Sequence, residues 1–98
     1  MVDILACCAN GVGTSVMMGM TLDKVIRRQG YQVGKCGHTT ISEGRTIAED
    51  YDIVLCPLSF VPMFEKAAAQ GVRVIGLRNV MSETEMTKRL ESCGLELR

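Results

Sequence analysis

The chain has 98 residues, room for one domain with one core, whose folding buries about 60–70% of the surface exposed by the unfolded chain. Lysine plus arginine equal aspartate plus glutamate at 11 each, so no global field draws the protein to nucleic acid or to anionic lipid. No apolar run approaches the roughly 20 residues that span a bilayer, and no basic segment followed by an apolar stretch and cleavage site opens the chain, so direct membrane insertion is not expected and the cytoplasm is the expected compartment.

Val2 to Cys7 reads as a first strand, apolar except at Asp3, as in the middle of a parallel sheet. Cys8-Ala9-Asn10-Gly11-Val12-Gly13-Thr14-Ser15 follows as a loop between this strand and a long helix. Gly11 and Gly13 permit positive φ and close approach of a ligand, and Thr14 or Ser15 is the expected helix cap. The free N–H groups of a helix start suit an anion with several oxygens, and their partial positive charge favours negative charge on the Cys8 sulfur.

The helix is expected to run to about Gln29, with Met18, Leu22, Val25 and Ile26 on one face and Gly30 as its stop. Tyr31 to Cys36 reads as a second strand, completing a right-handed βαβ unit. In the next stretch, Thr39 to Ser42 either ends a strand or forms a loop before a short helix from Glu43 to Ala48. Asp52 to Cys56 is a β-branched third strand stopped by Pro57. Ser59 to Gln70 has the pattern of a helix, with Phe60, Phe64 and Ala68 at i+4 spacing, Pro62 in its first turn and Gly71 at its end. Val72 to Gly76 is a fourth strand and Leu77 to Met81 a loop. Ser82 with Glu85 three residues on is the spacing of a capping box that opens a last helix to about Cys93-Gly94.

The fold class this order predicts is α/β: a four-stranded parallel open sheet with helices on both faces, Rossmann-like, with a phosphatase-like loop after the first strand. In such sheets ligands bind outside the carboxyl ends of the strands, where Cys8 lies and where Ser59 and Arg78 become candidates for the rim.

The five cysteines at 7, 8, 36, 56 and 93 are odd in number and lie mostly in apolar runs, as expected of reduced thiols. Cys7, one residue before Cys8 on a strand, points to the opposite face and reads as core, and Cys36, Cys56 and Cys93 read as core or strand-end thiols. Adjacent cysteines and a single histidine, His38, do not make a zinc site, and no pair of cysteines has the two-residue spacing of a thioredoxin-like motif. A nucleotide P-loop needs a lysine before its Ser/Thr, which Val12-Gly13-Thr14-Ser15 lacks, and Val16 stands where the dinucleotide fingerprint needs a third small residue.

Cysteine-based phosphoryl chemistry is what this leaves. A small cytosolic cysteine phosphatase places an arginine after cysteine and five residues, to clamp the transferring phosphoryl oxygens; here that position is Thr14. Without the clamp a phosphocysteine persists, as a carrier requires. The alternatives carried forward are a low-molecular-weight phosphatase-like hydrolase and a non-catalytic regulatory docking module.

Ile4 to Ser15 resembles the active-site segment of the enzyme IIB components of the bacterial phosphotransferase system (PTS), in the lactose/ascorbate/galactitol superfamily, and Val74 to Ser82 is similar to the fourth-strand segment of the ascorbate-type subgroup. The likeness departs at Cys7 and Ala9. It implies that residues 1–98 form a single IIB domain, that Cys8 is the phosphorylated cysteine, and that Ala9, Asn10, Gly11, Val12, Gly13, Thr14 and Ser15 form the phosphoryl-binding loop. It also implies a phosphoryl donor, a histidine of enzyme IIA, and an acceptor, a sugar held by the membrane component enzyme IIC, with no metal and no organic cofactor. His38 is a possible helper in transfer, and Met17, Met18 and Met20 are either an adaptable docking surface or core.

Overall fold

The computed structural model describes residues 2–8 and 11–94, with residues 11–15 described by their backbone alone. Four strands form one parallel sheet: β1 (Val2–Cys8), β2 (Val33–Thr40), β3 (Ile53–Pro57) and β4 (Arg73–Leu77). Their spatial order, β2-β1-β3-β4, places β1 and β3 inside and β2 and β4 at the edges. The helices are α1 (Gly11–Gln29), α2 (Ile41–Ile47), α3 (Glu65–Ala69) and α4 (Glu83–Glu91), with 3-10 segments at Ala48–Asp50 and Leu58–Phe64.

Strand alternation divides the core into two layers. Ile4, Ala6 and Cys8 point to the face covered by α1 and α4, where they meet Met18, Leu22, Val25, Met86 and Leu90. Leu5 and Cys7 point the other way, into a second cluster with Ile41, Val54, Cys56, Phe64 and Ala67 under α2, the second 3-10 segment and α3. Each large aliphatic or aromatic side chain so buried contributes about 1.5–3 kcal/mol, which is why the interior strands read as continuous apolar runs.

The structure departs from the expected elements where local signals compete. α1 begins at Gly11, so Gly11, Gly13, Thr14 and Ser15 belong to the helix rather than to a loop that Thr14 or Ser15 closes. Glycine enters a helical conformation as readily as a left-handed one, so Gly11 and Gly13 are as compatible with the first turn of α1 as with a loop. β2 starts two residues later than Tyr31 and runs four beyond Cys36, to Thr40, so the strand-ending alternative holds there, and α2 begins at Ile41, two residues before Glu43. An edge strand tolerates the exposed Lys35, Cys36 and His38 that disguise it in sequence, and Cys36 is an exposed thiol, not core.

The expected helix from Ser59 to Gln70 is a 3-10 segment followed by one short α-helix. Pro62 lies inside the 3-10 segment, past its first turn, and the missing proline N–H interrupts the α ladder there. β3 and β4 each sit one residue later than expected, and α4 ends at Glu91 rather than near Cys93. Gly30 and Gly71 stop their helices as expected, with φ of 67° and 97°.

Candidate functional site

The carboxyl edge of the sheet is built from the ends of all four strands. Cys8 ends β1, three positions before α1 begins at Gly11, and lies beside Thr40 of β2 in the parallel register. Its side chain is 4% exposed on the α1 and α4 face. Cys7 is fully buried on the opposite face, where its sulfur fills the space over Gly44 of α2 so closely that a Cβ on Gly44 would collide with it. The two adjacent thiols are thus separated by the sheet itself.

On the face opposite Cys8, burial governs the thiols. Burial pushes the Cys7 thiol up to about 12, with the neighbouring Cys56 and Cys8 sulfurs adding to the rise, and burial alone pushes Cys56 to about 12. Both stay protonated at neutral pH, and a thiol rather than a thiolate is a poor nucleophile. Cys56 is further occupied by a contact from its Sγ to the Ile75 carbonyl oxygen at 3.8 Å.

On the β2 side, Thr40 caps α2 by accepting the Glu43 N–H at 3.4 Å, while the Thr39 hydroxyl donates to the Glu43 carboxylate at 2.8 Å. These bonds fix the strand end next to Cys8. His38 lies away from that edge: it pairs with Ala6, and its ring packs on Gly19 of α1, where an added Cβ would come within 3.1 Å of Cδ2.

On the β3 and β4 side, Pro57 leads into the 3-10 segment, where Ser59 is exposed near the edge and Leu58 and Val61 pack on Gly76 of β4. Arg78 follows β4. Its backbone N–H donates to Glu85 Oε2 at 2.7 Å and that of Asn79 to Glu85 Oε1 at 2.9 Å. Ser82 caps α4 by accepting the Glu85 N–H at 3.2 Å, but the Glu85 carboxylate does not return to the cap as a capping box requires; it holds the loop. Those two backbone donors, with Arg89 and the Arg78 side chain nearby, keep the carboxyl below its ordinary range.

Across the end of β4, Leu58, Gly76, Arg78, Ser82, Thr84, Glu85, Lys88 and Arg89 line a cleft of about 580 Å³. Lys88 and Arg89 carry no motif, and Glu85 shows in sequence only as a capping residue, so spacing along α4 could flag them but not their meeting with Arg78. Met18 is core, whereas Met17 and Met20 stand out from α1 at 57% and 59% exposure.

The proposed phosphoryl loop is only partly visible in this arrangement. Ala9 and Asn10 lie outside the described residues, and Gly11, Val12, Gly13, Thr14 and Ser15 are described by their backbone alone. The structure therefore brings Cys8, the α1 backbone start, Ser59 and Arg78 to one edge of the sheet, and leaves His38 below it. Among the described residues no group of three His, Cys, Asp or Glu side chains converges as a metal site, and no helix is long and apolar enough to cross a membrane.

Known proteins share this architecture. The structure of the lactose-specific IIB component domain of the phosphoenolpyruvate:carbohydrate PTS from Streptococcus pneumoniae superposes with a TM-score of 0.66, at 19% identity, over 94% of this chain and 89% of that one. The ascorbate-specific PTS system EIIB component of Mycoplasma pneumoniae is 25% identical over 87 residues, 89% of this chain and 88% of the relative. The family model for the PTS system lactose/cellobiose-specific IIB subunit matches residues 3–92. A parallel sheet that ends β1 on a cysteine at the start of a helix, matched over nearly its whole length by that model, belongs to the PTS IIB family: the chain is a phosphoryl-transfer IIB component of a sugar phosphotransferase system.

Proposed function

We propose that Cys8 is the residue that carries the phosphoryl group, within a single IIB domain of residues 1–98 working in the cytoplasm. The observation that carries this reading is the division of the two adjacent thiols: Cys8 at the carboxyl end of β1 against the start of α1, and Cys7 sealed against Gly44 with its proton held to about pH 12. The Cys8 thiolate sulfur attacks the phosphorus of a phosphohistidine on an enzyme IIA, the S–P bond forms as the P–N bond breaks, and the imidazole leaves with the electron pair. A sugar hydroxyl held by enzyme IIC then attacks phosphorus, the S–P bond breaks and the thiolate is restored, the hydroxyl proton passing to a base on the acceptor side.

Ala9 to Ser15 serve as the phosphoryl-binding loop, supplying N–H groups at the start of α1 and the hydroxyls of Thr14 and Ser15. Ser59 and Arg78 form the rim on the β3 and β4 side. Thr14 stands where a phosphatase places its clamping arginine, which supports transfer over hydrolysis. Incubation with phosphoenolpyruvate and the upstream carriers is expected to add one stable phosphoryl group, with no turnover of an aryl phosphate. Steady aryl phosphate hydrolysis by the isolated chain would overturn the carrier reading in favour of a hydrolase.

A further inference from the structure

Positive charge gathers at the end of β4 with little to offset it. Arg78, Lys88 and Arg89, all exposed, line the cleft across that strand end. The ion pairs found among the described residues, Arg27 with Asp23 and Arg28 with Glu83, involve none of the three. The cleft's one lining carboxylate, Glu85, is committed to the backbone N–H groups of Arg78 and Asn79. Three cations against one carboxylate leave the lining with a formal charge of +2. Leu58, 47% exposed, adds an apolar wall that a bare inorganic ion would leave wet.

This cleft shares its sheet edge with Cys8. In the order β2-β1-β3-β4 the end of β4 lies two strand spacings from β1, about 10 Å. That distance is just beyond the screening length of about 8 Å in physiological salt and well within the roughly 30 Å of dilute salt, so charge on Cys8 and charge in the cleft act on one another most at low salt.

We propose that the cleft docks an acidic segment of the protein that donates the phosphoryl group to Cys8, with Arg78, Lys88 and Arg89 meeting its carboxylates, Leu58 meeting an apolar side chain, and Glu85 as the positioning residue that fixes Arg78. The proposal rests on Cys8 being the acceptor. Charge complementarity selects the donor rather than the later acceptor. Before transfer Cys8 carries no phosphoryl group and the cleft attracts acidic surface in full. After transfer, a phosphoryl group of nearly two negative charges on Cys8 offsets part of the cleft's field, most at low salt, which favours release of the spent donor. A partner that must bind the phosphorylated form meets a weakened cleft.

The test is phosphorylation of the full chain by its phosphorylated IIA donor, with KM for the donor and kcat measured as sodium chloride is raised. In the wild type KM is expected to rise steeply with salt. The Lys88→Glu, Arg89→Glu variant is expected to raise KM at least about tenfold at low salt, to flatten its salt dependence and to leave kcat unchanged. Both residues are exposed, and a thermal melt matching the wild type confirms folding. Glu85→Gln is expected to raise KM less, and to add nothing in an Arg78→Ala background, since it acts through Arg78.

An unchanged KM in the charge-reversed variant, or a fall in kcat alone, would overturn the proposal. So would equal competition by inorganic phosphate in wild-type and charge-reversed chains, because the anion would then be acting elsewhere. If Cys8→Ser still accepts a phosphoryl group, the nucleophile assignment fails whatever the charge variants do. If only the charge variants behave as wild type, the docking cleft fails and the nucleophile stands.

Discussion

Glu85 holds the backbone of Arg78 from across the β4–α4 loop, its carboxylate accepting the Arg78 N–H at 2.7 Å and the Asn79 N–H at 2.9 Å. Hydrogen bonds to a charged acceptor are worth about 1.5–3 kcal/mol each when shielded and less at a surface, so Glu85→Ala should lower stability by about 1 kcal/mol, read as a shift in the urea midpoint with unchanged slope. Because the folded carboxyl titrates below its unfolded range, this contribution is present above the unfolded pKa and is lost as pH falls through the folded one. The stability difference between wild type and Glu85→Ala should therefore close in acid. A difference that persists after both states are protonated would show that the carboxylate charge is not what holds the loop.

Gly44 has no room for a side chain, since its Cβ position is taken by the Cys7 sulfur. Gly44→Ala should destabilise the chain by about 1–3 kcal/mol, as overpacking does in a closed core. Adding Cys7→Ala removes the colliding atom and should recover part of the loss in a double-mutant cycle. Strict additivity would mean that Gly44 is required for some other reason.

Gly76 is equally confined, an added Cβ falling 2.6 Å from Val61 Cγ2 and 2.7 Å from Leu58 Cδ1. Gly76→Ala should push the 3-10 segment off β4, lowering thermal stability and moving the amide resonances of Leu58 to Val61 more than those of β1. Unmoved resonances in that segment would contradict the packing.

Cys7 and Cys56 keep their protons to about pH 12 in the folded chain, against an ordinary value of 9.0. A folded value raised above the unfolded one gives stability that is complete below about 9 and is lost as pH climbs toward 12. Cys7→Ala should flatten that alkaline decline. In the native state iodoacetamide should modify exposed Cys36 while Cys7 and Cys56 react only on unfolding, which peptide mass spectrometry can follow.

Much of the architecture was legible because its signals are local. Val2 to Cys7 and Asp52 to Cys56 are apolar enough to name interior strands, Gly30 and Gly71 stop their helices, and the alternation of a strand separates Cys7 from Cys8. What was hidden depends on neighbours distant in sequence. The polar Lys35-Cys36-Gly37-His38 run looks like the end of a strand, yet β1 supplies a partner as far as Thr40. Ser82 and Glu85 have the spacing of a capping box, but the Glu85 carboxylate finds two stronger donors across the loop. The edge that gathers Cys8, Ser59 and Arg78 follows from parallel topology, whereas the meeting of Lys88 and Arg89 with Arg78 requires the packing of α4.

The central claim, that Cys8 and not its neighbour carries the phosphoryl group, is tested most directly by phosphorylating three chains with phosphoenolpyruvate and the upstream carriers and mapping the product by mass spectrometry. One phosphoryl group on the wild type, one on Cys7→Ser and none on Cys8→Ser is the predicted result. A phosphoryl group lost with Cys7→Ser and kept with Cys8→Ser would contradict it.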